Sequence, residues 1–512
     1  MPDQLRPERV PAQAVGGLIE RLPGARLHGD GAVAVTGITH DSRHVQPGDL
    51  YLARAGERAH GISFLADAMT AGAVAVLTDP SSVESAVAAG SAAVVEVPDP
   101  RAITGPAAAW VYGDPSRELV VIGLTGTNGK TTTAYLVEAG LRAAGRRTGL
   151  VGTIESVVDG TAVPSLRTTP EATDLQALFA VMRERAVTDV AMEVSSHALA
   201  LDRVEGTVFA VAGFTNLSQD HLDFHADMED YFAAKARLFT PALSRRGVVA
   251  VDDEWGRRLA REAGVPVTTI GRQGADWTLG AATVTHAGGT VGVRGPDGAE
   301  HRLDVRLPGR FNLDNAALAF VVLVEAGVAA ADAARGIAQL TTVPGRMERV
   351  DLGQPFVVVV DYAHTPAAVG QLLAEARTIA ARGRVIVVLG CGGDRDTGKR
   401  PLMGEAAATG ADVAVLTNDN PRSEDPQVIL EAMLTGAQRA GGTAELIVEP
   451  DRRRAIEWAV DAARAGDVVV VAGKGHEQGQ EQGGVVLPFD DREVVREALA
   501  ARGHAGAGVR PA

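Results

Sequence analysis

The stretch "ELVVIGLTGTNGKTTTAYLVEAGLRAAG", residues 118–145, decides the fold. It opens as an apolar, β-branched run that reads as a buried strand ending near Leu124. It then turns on Gly126 and Gly129 and continues from Lys130 as a helix, with Leu136, Val137, Gly140 and Leu141 on one face. A strand, a glycine turn and a helix start in that order aim free backbone N–H groups at one point, and phosphate is the ligand such a point attracts. Lys130 reaches the β/γ oxygens of a nucleotide there, and a threonine hydroxyl just after it can ligate Mg2+. The strict G-x-x-x-x-G-K-[ST] spacing fails by one place, because Leu124 stands where the first glycine belongs, with Gly123 beside it. Motor, GTPase, transport ATPase, kinase and ligase chemistries all stay open at this point.

Around that stretch lie 512 residues, too many for one core and, at roughly 100–200 residues per domain, enough for about three. Hydrophobic content of 46% and charged content of 22% are those of a globular protein, and aromatics at 4% imply aliphatic cores. Cys391 is the single cysteine, so no intramolecular disulfide forms and a reducing compartment is indicated. No secretory pattern opens the chain and no apolar run approaches about 18 residues. The expected location is therefore the cytoplasm, with no membrane partner. A net charge of −15 disfavours nucleic acid, so any anionic ligand must be met by local clusters of Lys, Arg and backbone N–H.

Three segments separate along the chain. The first holds short Val/Ala strands such as "AVAVTGI" and "AVAVLTD"; the second runs from the phosphate stretch through alternating strands and helices. The third has the clearest rhythm: "FVVVV", "RVIVVLG", "DVAVLT", "AELIVE" and "DVVVVAG", with helical stretches between most of them. Continuous apolar strands separated by helices indicate a parallel sheet covered on both faces. "LTTVPGRMERV" is the hinge into it, and an Ala/Gly/Arg tail from about Arg502 is expected to be disordered. Four of the third-segment strands lead into polar loops: "DYAHTP", "CGGDRDTGKRP", "NDNPRSEDP" and "KGHEQ". Ligands of open parallel sheets bind beyond the carboxyl ends of the strands, so four such loops on one edge mark a site.

The middle segment adds further chemistry. "DVAMEVSSHAL" puts Glu193 at a strand end before Ser195, Ser196 and His197, and "FTNLSQDHLDFH" gathers Asp220, His221, Asp223 and His225. Such groups can hold Mg2+ or zinc, or simply hydrogen-bond a loop. Lys235, in the amphipathic "YFAAKARLF", reads as a surface lysine. Cys391 reads as a small residue packed near a tight turn.

Taken in order, "GTNGKTTT", "RTTPEATD", "MEVSSHAL", "TNLSQDHLDFH", "YFAAKARLF", "GRFNLDNAALA", "PGRMERV", "DYAHTP", "GGDRDTGKRP", "NDNPR" and "GKGHE" resemble the Mur ligases of peptidoglycan synthesis, over nearly the whole chain. The resemblance implies an α/β chain of three domains. These are a UDP-substrate-binding domain over 1–108, a central P-loop-type, parallel-sheet ATP-binding domain over 109–343, and a Rossmann-like amino-acid-binding domain over 344–512. It implies ATP at Gly126, Thr127, Asn128, Gly129, Lys130, Thr131 and Thr132, with Asn315, Arg346, Asp361 and His364 handling it across the hinge. It implies a UDP-muramoyl dipeptide held by Ser42, Thr168, Thr169, Ser195 and Arg203, with His40 and residues 57–59 as further candidates. Mg2+ would be held by Thr131, Glu193, His221 and Lys235, the last matching a lysine that the family carbamylates.

"DNPR", residues 419–422, matches the family's signature for diaminopimelate, and lysine-adding relatives differ there. Diaminopimelate carries two ammonium and two carboxylate groups. Arg395 and Arg422 can each pair with a carboxylate, while Asp419 and Glu477 can take an ammonium, with Asn420, Pro421 and the Gly473 backbone close by. The implied reaction is attack of the D-glutamyl γ-carboxylate on ATP, an acyl phosphate, then attack by the diaminopimelate amine. It needs positioning and charge neutralisation but no nucleophilic side chain. The implied enzyme is a monomer acting on small molecules and closing about residues 343–345. A lysine-adding or folylpolyglutamate-type ligase and a P-loop transport ATPase are the alternatives. The "DNPR" loop argues against lysine addition, the N-terminal "HDSR" against a folylpolyglutamate ligase, and the Glu of "DVAMEVSS" against the transporter's strand-end Asp.

Overall fold

The computed structural model describes residues 5–56, 59–163, 167–285 and 287–504. Positions 57 and 58 of the N-terminal candidate stretch, and most of the expected tail, lie outside them. Each of the three segments builds its own main sheet. In the first, Arg26–Gly29, Ala93–Glu96, Ala75–Thr78, Asp49–Ala53 and Gly37–Thr39 lie side by side in that order, parallel except for Arg26–Gly29. The helix Pro100–Val111 starts at Asp99, whose carboxylate accepts from the N–H groups of Arg101 and Ala102. It runs straight through residue 108, where a boundary was expected. Ala107, Ala108, Val111 and Tyr112 all pack in the N-terminal core. Ala177 and Ala180 of the middle-segment helix Ala172–Glu184 join that same core.

The middle sheet is wider and more mixed than a parallel ATPase sheet. Thr148–Val151, Asp189–Glu193, Val120–Thr125, Phe209–Phe214, Gly247–Ala250 and Val267–Gly271 are parallel neighbours, with the phosphate-loop strand among the central ones. Ser156–Val158 and Thr161–Val163 extend one end antiparallel; at the other, Trp277–Thr285 adds one more parallel neighbour and then turns back through Gly288–Arg294 and Glu300–Val305 as an antiparallel meander. The reason is visible in the burial. Glu300–Val305 alternates exposed residues with inward Leu303 and Val305, the pattern of a strand with one wet face, which an antiparallel sheet tolerates.

The third domain follows its sequence rhythm. Val357–Asp361, Val468–Ala472, Val385–Leu389, Val413–Leu416 and Glu445–Val448 are parallel neighbours, with Glu348–Arg349 antiparallel at the edge. The register pairs Asp361 with Ala472, Ala472 with Leu389, and Leu389 with Leu416, so the strand ends are level and their loops emerge on one edge. Val343 packs in the middle core and Met347 in the third, so the chain crosses between them within four residues. Among the described residues no helix is long and apolar enough to cross a membrane.

Beneath the level ends lies a fully buried ion pair. Arg452 Nε and Nη2 donate to the two oxygens of Asp491 at 2.8 and 2.7 Å, and Nη2 also donates to the Ala472 carbonyl at 2.9 Å. The pair ties the helices Arg452–Ala462 and Asp491–Ala501 to a central strand end. Arg452→Met would leave the Asp491 carboxylate buried and unpaired. It is expected to cost about 3–5 kcal/mol and to lower the melting temperature of the third domain in scanning calorimetry. R452M combined with D491L, which removes both charges, is expected to recover most of that loss.

Candidate functional site

Gly126 and Gly129 both take positive φ, 143° and 87°. A Cβ on Gly126 would stand 1.9 Å from Thr215 Oγ1, and one on Gly129 would stand 2.3 Å from Asn315 Oδ1, so the turn admits only glycine at both places. The segment after Phe209–Phe214 buttresses it. Thr215 Oγ1 and Asn216 Nδ2 donate to the Asn128 carbonyl at 2.6 and 3.1 Å, and the Asn128 N–H donates back to Asn216 Oδ1 at 3.0 Å. Lys130 Nζ lies back along the turn, donating to the carbonyls of Gly126 and Thr127 at 2.9 Å each.

Lys235 is not on the surface. It is 1% exposed, donates to the same Gly126 carbonyl at 2.8 Å and stands 4.5 Å from the centre of the Tyr231 ring. Burial, reinforced by the Lys130 ammonium, holds its pKa well below the ordinary lysine range. Burial also lowers Lys130, against the pull of Glu193 and Asp220.

Glu193 closes the other side of the turn. Its Oε2 accepts from the Thr131 hydroxyl at 2.9 Å and the Thr153 hydroxyl at 3.1 Å, and its Oε1 accepts from the Thr153 N–H at 2.8 Å. Arg346, from the hinge, donates to Thr131 Oγ1 at 3.0 Å and lies over the Tyr362 ring. A buried carboxylate beside a hydroxyl at a phosphate turn is a donor set for a hard cation that keeps substrate phosphates among its ligands, as Mg2+ does.

Asp220 faces three cationic or ionisable groups: His221 Nε2 at 3.4 Å, His364 Nε2 at 3.7 Å and Lys399 Nζ at 3.7 Å. Burial opposes its charge, yet His364, His221 and Lys399 outweigh burial and hold the carboxyl below the usual range. Burial drives His221 down to about 3 and His197 to about 4, so both imidazoles are neutral near pH 7. A neutral His221 is free to ligate a metal. The Arg346–Thr131 contact and the His364 and Lys399 contacts with Asp220 thus give two polar links between the middle and third domains.

One cavity of about 350 Å3 collects most of the expected residues. Thr127, Asn128, Gly129, Lys130, Thr131 and Thr132 form its floor, with Gly126 behind them. Asn315, Arg346, Asp361 and His364 close it from the hinge side, and Glu193 and His221 line it with Thr168, Thr169, Ser195 and Arg203. Thr169 Oγ1 donates to the Glu193 carbonyl at 2.9 Å and accepts from the Ser195 N–H at 3.1 Å, which fixes that wall. Thr153 and Tyr362 also line the cavity, although no sequence reading singled them out. Lys235, His40 and Ser42 are not part of its wall. His40 Nδ1 lies 3.1 Å from Thr173 Oγ1, and Ser42 opens the turn Ser42–His44 in the first domain.

A second missed group joins those two places. Glu171 has Arg203 Nε at 2.8 Å, Arg54 Nη2 at 3.4 Å and Arg167 Nε at 3.7 Å. One carboxylate thus gathers three guanidiniums between the first domain and the cavity, in a chain of net charge −15. Its only sequence signal is the Glu of "RTTPEATD".

The third-domain loops form a separate cluster. Arg422, at φ 52°, donates to the Gly393 carbonyl at 2.6 Å and holds Nε 3.6 Å from Glu481. Its backbone is clasped by the hairpin Gly479–Gln482 and Val485–Pro488, with Arg422 N–H donating to the Glu481 carbonyl at 3.0 Å and its carbonyl accepting from Gly483 N–H at 2.6 Å. Arg395 Nη1 donates to the Asp394 carbonyl at 2.9 Å. Asn420 Nδ2 donates to Glu477 at 2.8 Å, and Pro421 lies against Gly393, where a Cβ would meet its carbonyl at 1.9 Å. Asp419 approaches Gly473 so closely that a Cβ there would stand 2.4 Å from its carboxylate. Lys474, which was not singled out, is fully buried among them. The "DP" that ends the charged loop is a helix start: Asp425 caps Pro426–Arg439, accepting from the Gln427 N–H. Burial pushes the Cys391 thiol up to about 12, which makes it an inert core residue.

Comparison with known proteins agrees over the whole chain. Residues 34–111, 124–323 and 345–475 match the models described as "Mur ligase family, catalytic domain", "Mur ligase middle domain" and "Mur ligase, glutamate ligase domain". A UDP-N-acetylmuramoyl-L-alanyl-D-glutamate–2,6-diaminopimelate ligase of Streptomyces coelicolor is 55% identical over 97% of this chain and 98% of its own. The protein of that name from Corynebacterium glutamicum is 48% identical over 93% of this chain and 94% of its own. A solved structure of a ligase of the same name superposes with a TM-score of 0.63 at 32% identity, covering 92% of this chain and 96% of that one.

The buried imidazoles give a pH dependence. His197, His221 and His476 sit at about 4, 3 and 3 against the ordinary 6.5, so the unfolded chain takes up their protons first as pH falls. The stability they contribute is complete above pH 6.5 and is lost as pH falls toward 3. Melting temperature is expected to fall steadily from pH 6.5 to pH 4, and a flat profile over that window would contradict these assignments.

Proposed function

The chain belongs to the Mur ligase family and is an ATP- and Mg2+-dependent, ADP-forming ligase that joins 2,6-diaminopimelate to UDP-N-acetylmuramoyl-L-alanyl-D-glutamate; we propose that it does so through the residues gathered in the cavity and on the level strand ends. What supports this most is the meeting, in one cavity, of the phosphate turn, the Thr168–Ser195–Arg203 wall and the hinge residues Arg346 and His364.

In this reading the first domain takes the uridine end of the nucleotide-sugar near His40 and Ser42. Arg54, Arg167 and Arg203, gathered by Glu171, receive its anionic groups, and Thr168, Thr169 and Ser195 orient the dipeptide. The backbone N–H groups of the turn and Lys130 hold the ATP phosphates. The D-glutamyl γ-carboxylate oxygen attacks the γ-phosphorus, the bond to the β-phosphate oxygen breaks, and ADP leaves. The diaminopimelate amine then attacks the acyl carbonyl; the C–N bond forms, the C–O bond to phosphate breaks, and the amine gives up a proton. Thr131, Glu193 and His221 would hold Mg2+, which neutralises phosphate charge when bound. The lowered pKa of Lys235 favours the free amine, the form that reacts with CO2, and its carbamate would add an anionic ligand to that set. Arg395 and Arg422 take carboxylates of diaminopimelate, and Asp419 and Glu477 take its ammonium, with Asn420, Pro421 and the Gly473 backbone close by. We assign the reaction to a cytoplasmic monomer.

The direct test is ADP release with ATP, Mg2+ and UDP-muramoyl dipeptide, adding meso-diaminopimelate, LL-diaminopimelate or L-lysine in parallel. Release with a diaminopimelate and hardly any with lysine is expected; preference for lysine would overturn the reading of residues 419–422. Arg422→Ala should cost about 2–5 kcal/mol in kcat/KM for diaminopimelate. Protein equilibrated with 13C-bicarbonate should show a carbamate carbon by NMR that is missing from Lys235→Arg, and its absence from the unmutated protein would remove Lys235 from the metal set.

A further inference from the structure

Lys474 has no exposed surface, yet no step of the reaction calls on it. Its Nζ donates to Asn420 Oδ1 at 2.9 Å and to Glu477 Oε2 at 3.0 Å, and stands 3.8 Å from Asp419 Oδ1. A buried ammonium survives only when paired, and here its two carboxylate partners, Asp419 and Glu477, are the groups assigned to the substrate's ammonium. Asn420 Oδ1 also accepts from the Glu481 N–H at 2.9 Å, so two donors fix the amide and turn its Nδ2 onto Glu477 at 2.8 Å. One oxygen of Glu477 is thereby taken up by Lys474 and Asn420, and its side chain remains 31% exposed.

We propose that Lys474 is a positioning and specificity-determining residue for the amino-acid substrate: it occupies half of the acidic pair, so that the pocket offers a single surplus negative charge beside Arg422. The proposal rests on the assignment of diaminopimelate to this cluster. Around Lys474, Asp419 and Glu477 less one internal ammonium match one substrate ammonium; Arg422, whose Nε stands 3.6 Å from the half-exposed Glu481, matches the carboxylate on the same carbon by displacing that contact. Lysine brings an ammonium without that carboxylate, and the Lys474 charge nearby opposes it with nothing in return. Removing Lys474 would leave a more acidic pocket that welcomes a bare ammonium.

The test is the ratio of kcat/KM for diaminopimelate to that for L-lysine, with lysine measured both as substrate and as competitor. Lys474→Met is expected to lower this ratio by about tenfold or more while leaving KM for ATP within about twofold. Glu477→Gln cancels the surplus charge and is expected to move the ratio the other way. The K474M/E477Q pair restores the charge balance and should return the ratio toward that of the unmutated protein. A purely structural role would lower both rate constants together in every variant, and an unmoved ratio overturns the proposal. If Lys474→Met does not fold, as judged by nucleotide binding, Glu477→Gln and the double variant carry the same readout. Absence of diaminopimelate-dependent ADP release from the unmutated protein would instead sink the assignment of the reaction, which separates the two failures.

Discussion

The geometry of this molecule hangs on the carboxylate of Asp361. It is buried at the end of Val357–Asp361 and accepts from the Met347 N–H at one oxygen and the Ala363 N–H at the other, both at 2.7 Å. The segment entering the third domain and the loop leaving its first parallel strand are thus pinned to one group. Arg346, one residue before the pinned N–H, can then reach back to Thr131 on the phosphate turn. Burial pushes the Asp361 carboxyl up, and Arg346 with the two backbone donors works against that rise. A few short hydrogen bonds thus fix the crossing between the domains, and Phe311 of the middle segment packs against the third-domain core beside them.

A chain of net charge −15 that handles triphosphate, diphosphate and carboxylates has to build its positive potential locally. It does so with backbone N–H groups at the glycine turn, which cost no side chain, with Lys130 beside them, and with Arg54, Arg167 and Arg203 gathered around Glu171. Lys235 shares a carbonyl with Lys130, and burial first, then the Lys130 ammonium, weakens its hold on its proton.

Local pattern carried the third domain almost whole, because its strands are unbroken valine-rich runs and each loop follows directly from a strand end. The phosphate turn was equally plain in Gly126, Gly129 and Lys130. The antiparallel wings of the middle sheet were not, since strands such as Trp277–Thr285 are half exposed and their alternation is interrupted by a register shift. The helix Pro100–Val111 has no composition break inside it, so the passage from the first segment to the middle one carries no sharp mark in the sequence. Lys235 and Lys474 were missed or misread for one shared reason. A lysine in sequence looks like solvent, and only the packing of distant segments shows that each has none. Glu171 was hidden likewise, its partners being spread over 149 positions from Arg54 to Arg203.

The level strand ends of the third domain carry a consequence for how such a chain can change over evolutionary time. The loops proposed to contact the amino acid hang from one sheet, while the phosphate turn hangs from another, and the two domains meet through Arg346, His364 and Lys399. Side chains on the Asn418–Glu424 loop and on the hairpin clasping it can therefore be exchanged as a unit, like a cassette, without retuning the phosphate chemistry. Divergence in what is added and constancy in how it is activated are then the expected history of this architecture, since the backbone holds the two tasks on separate frames.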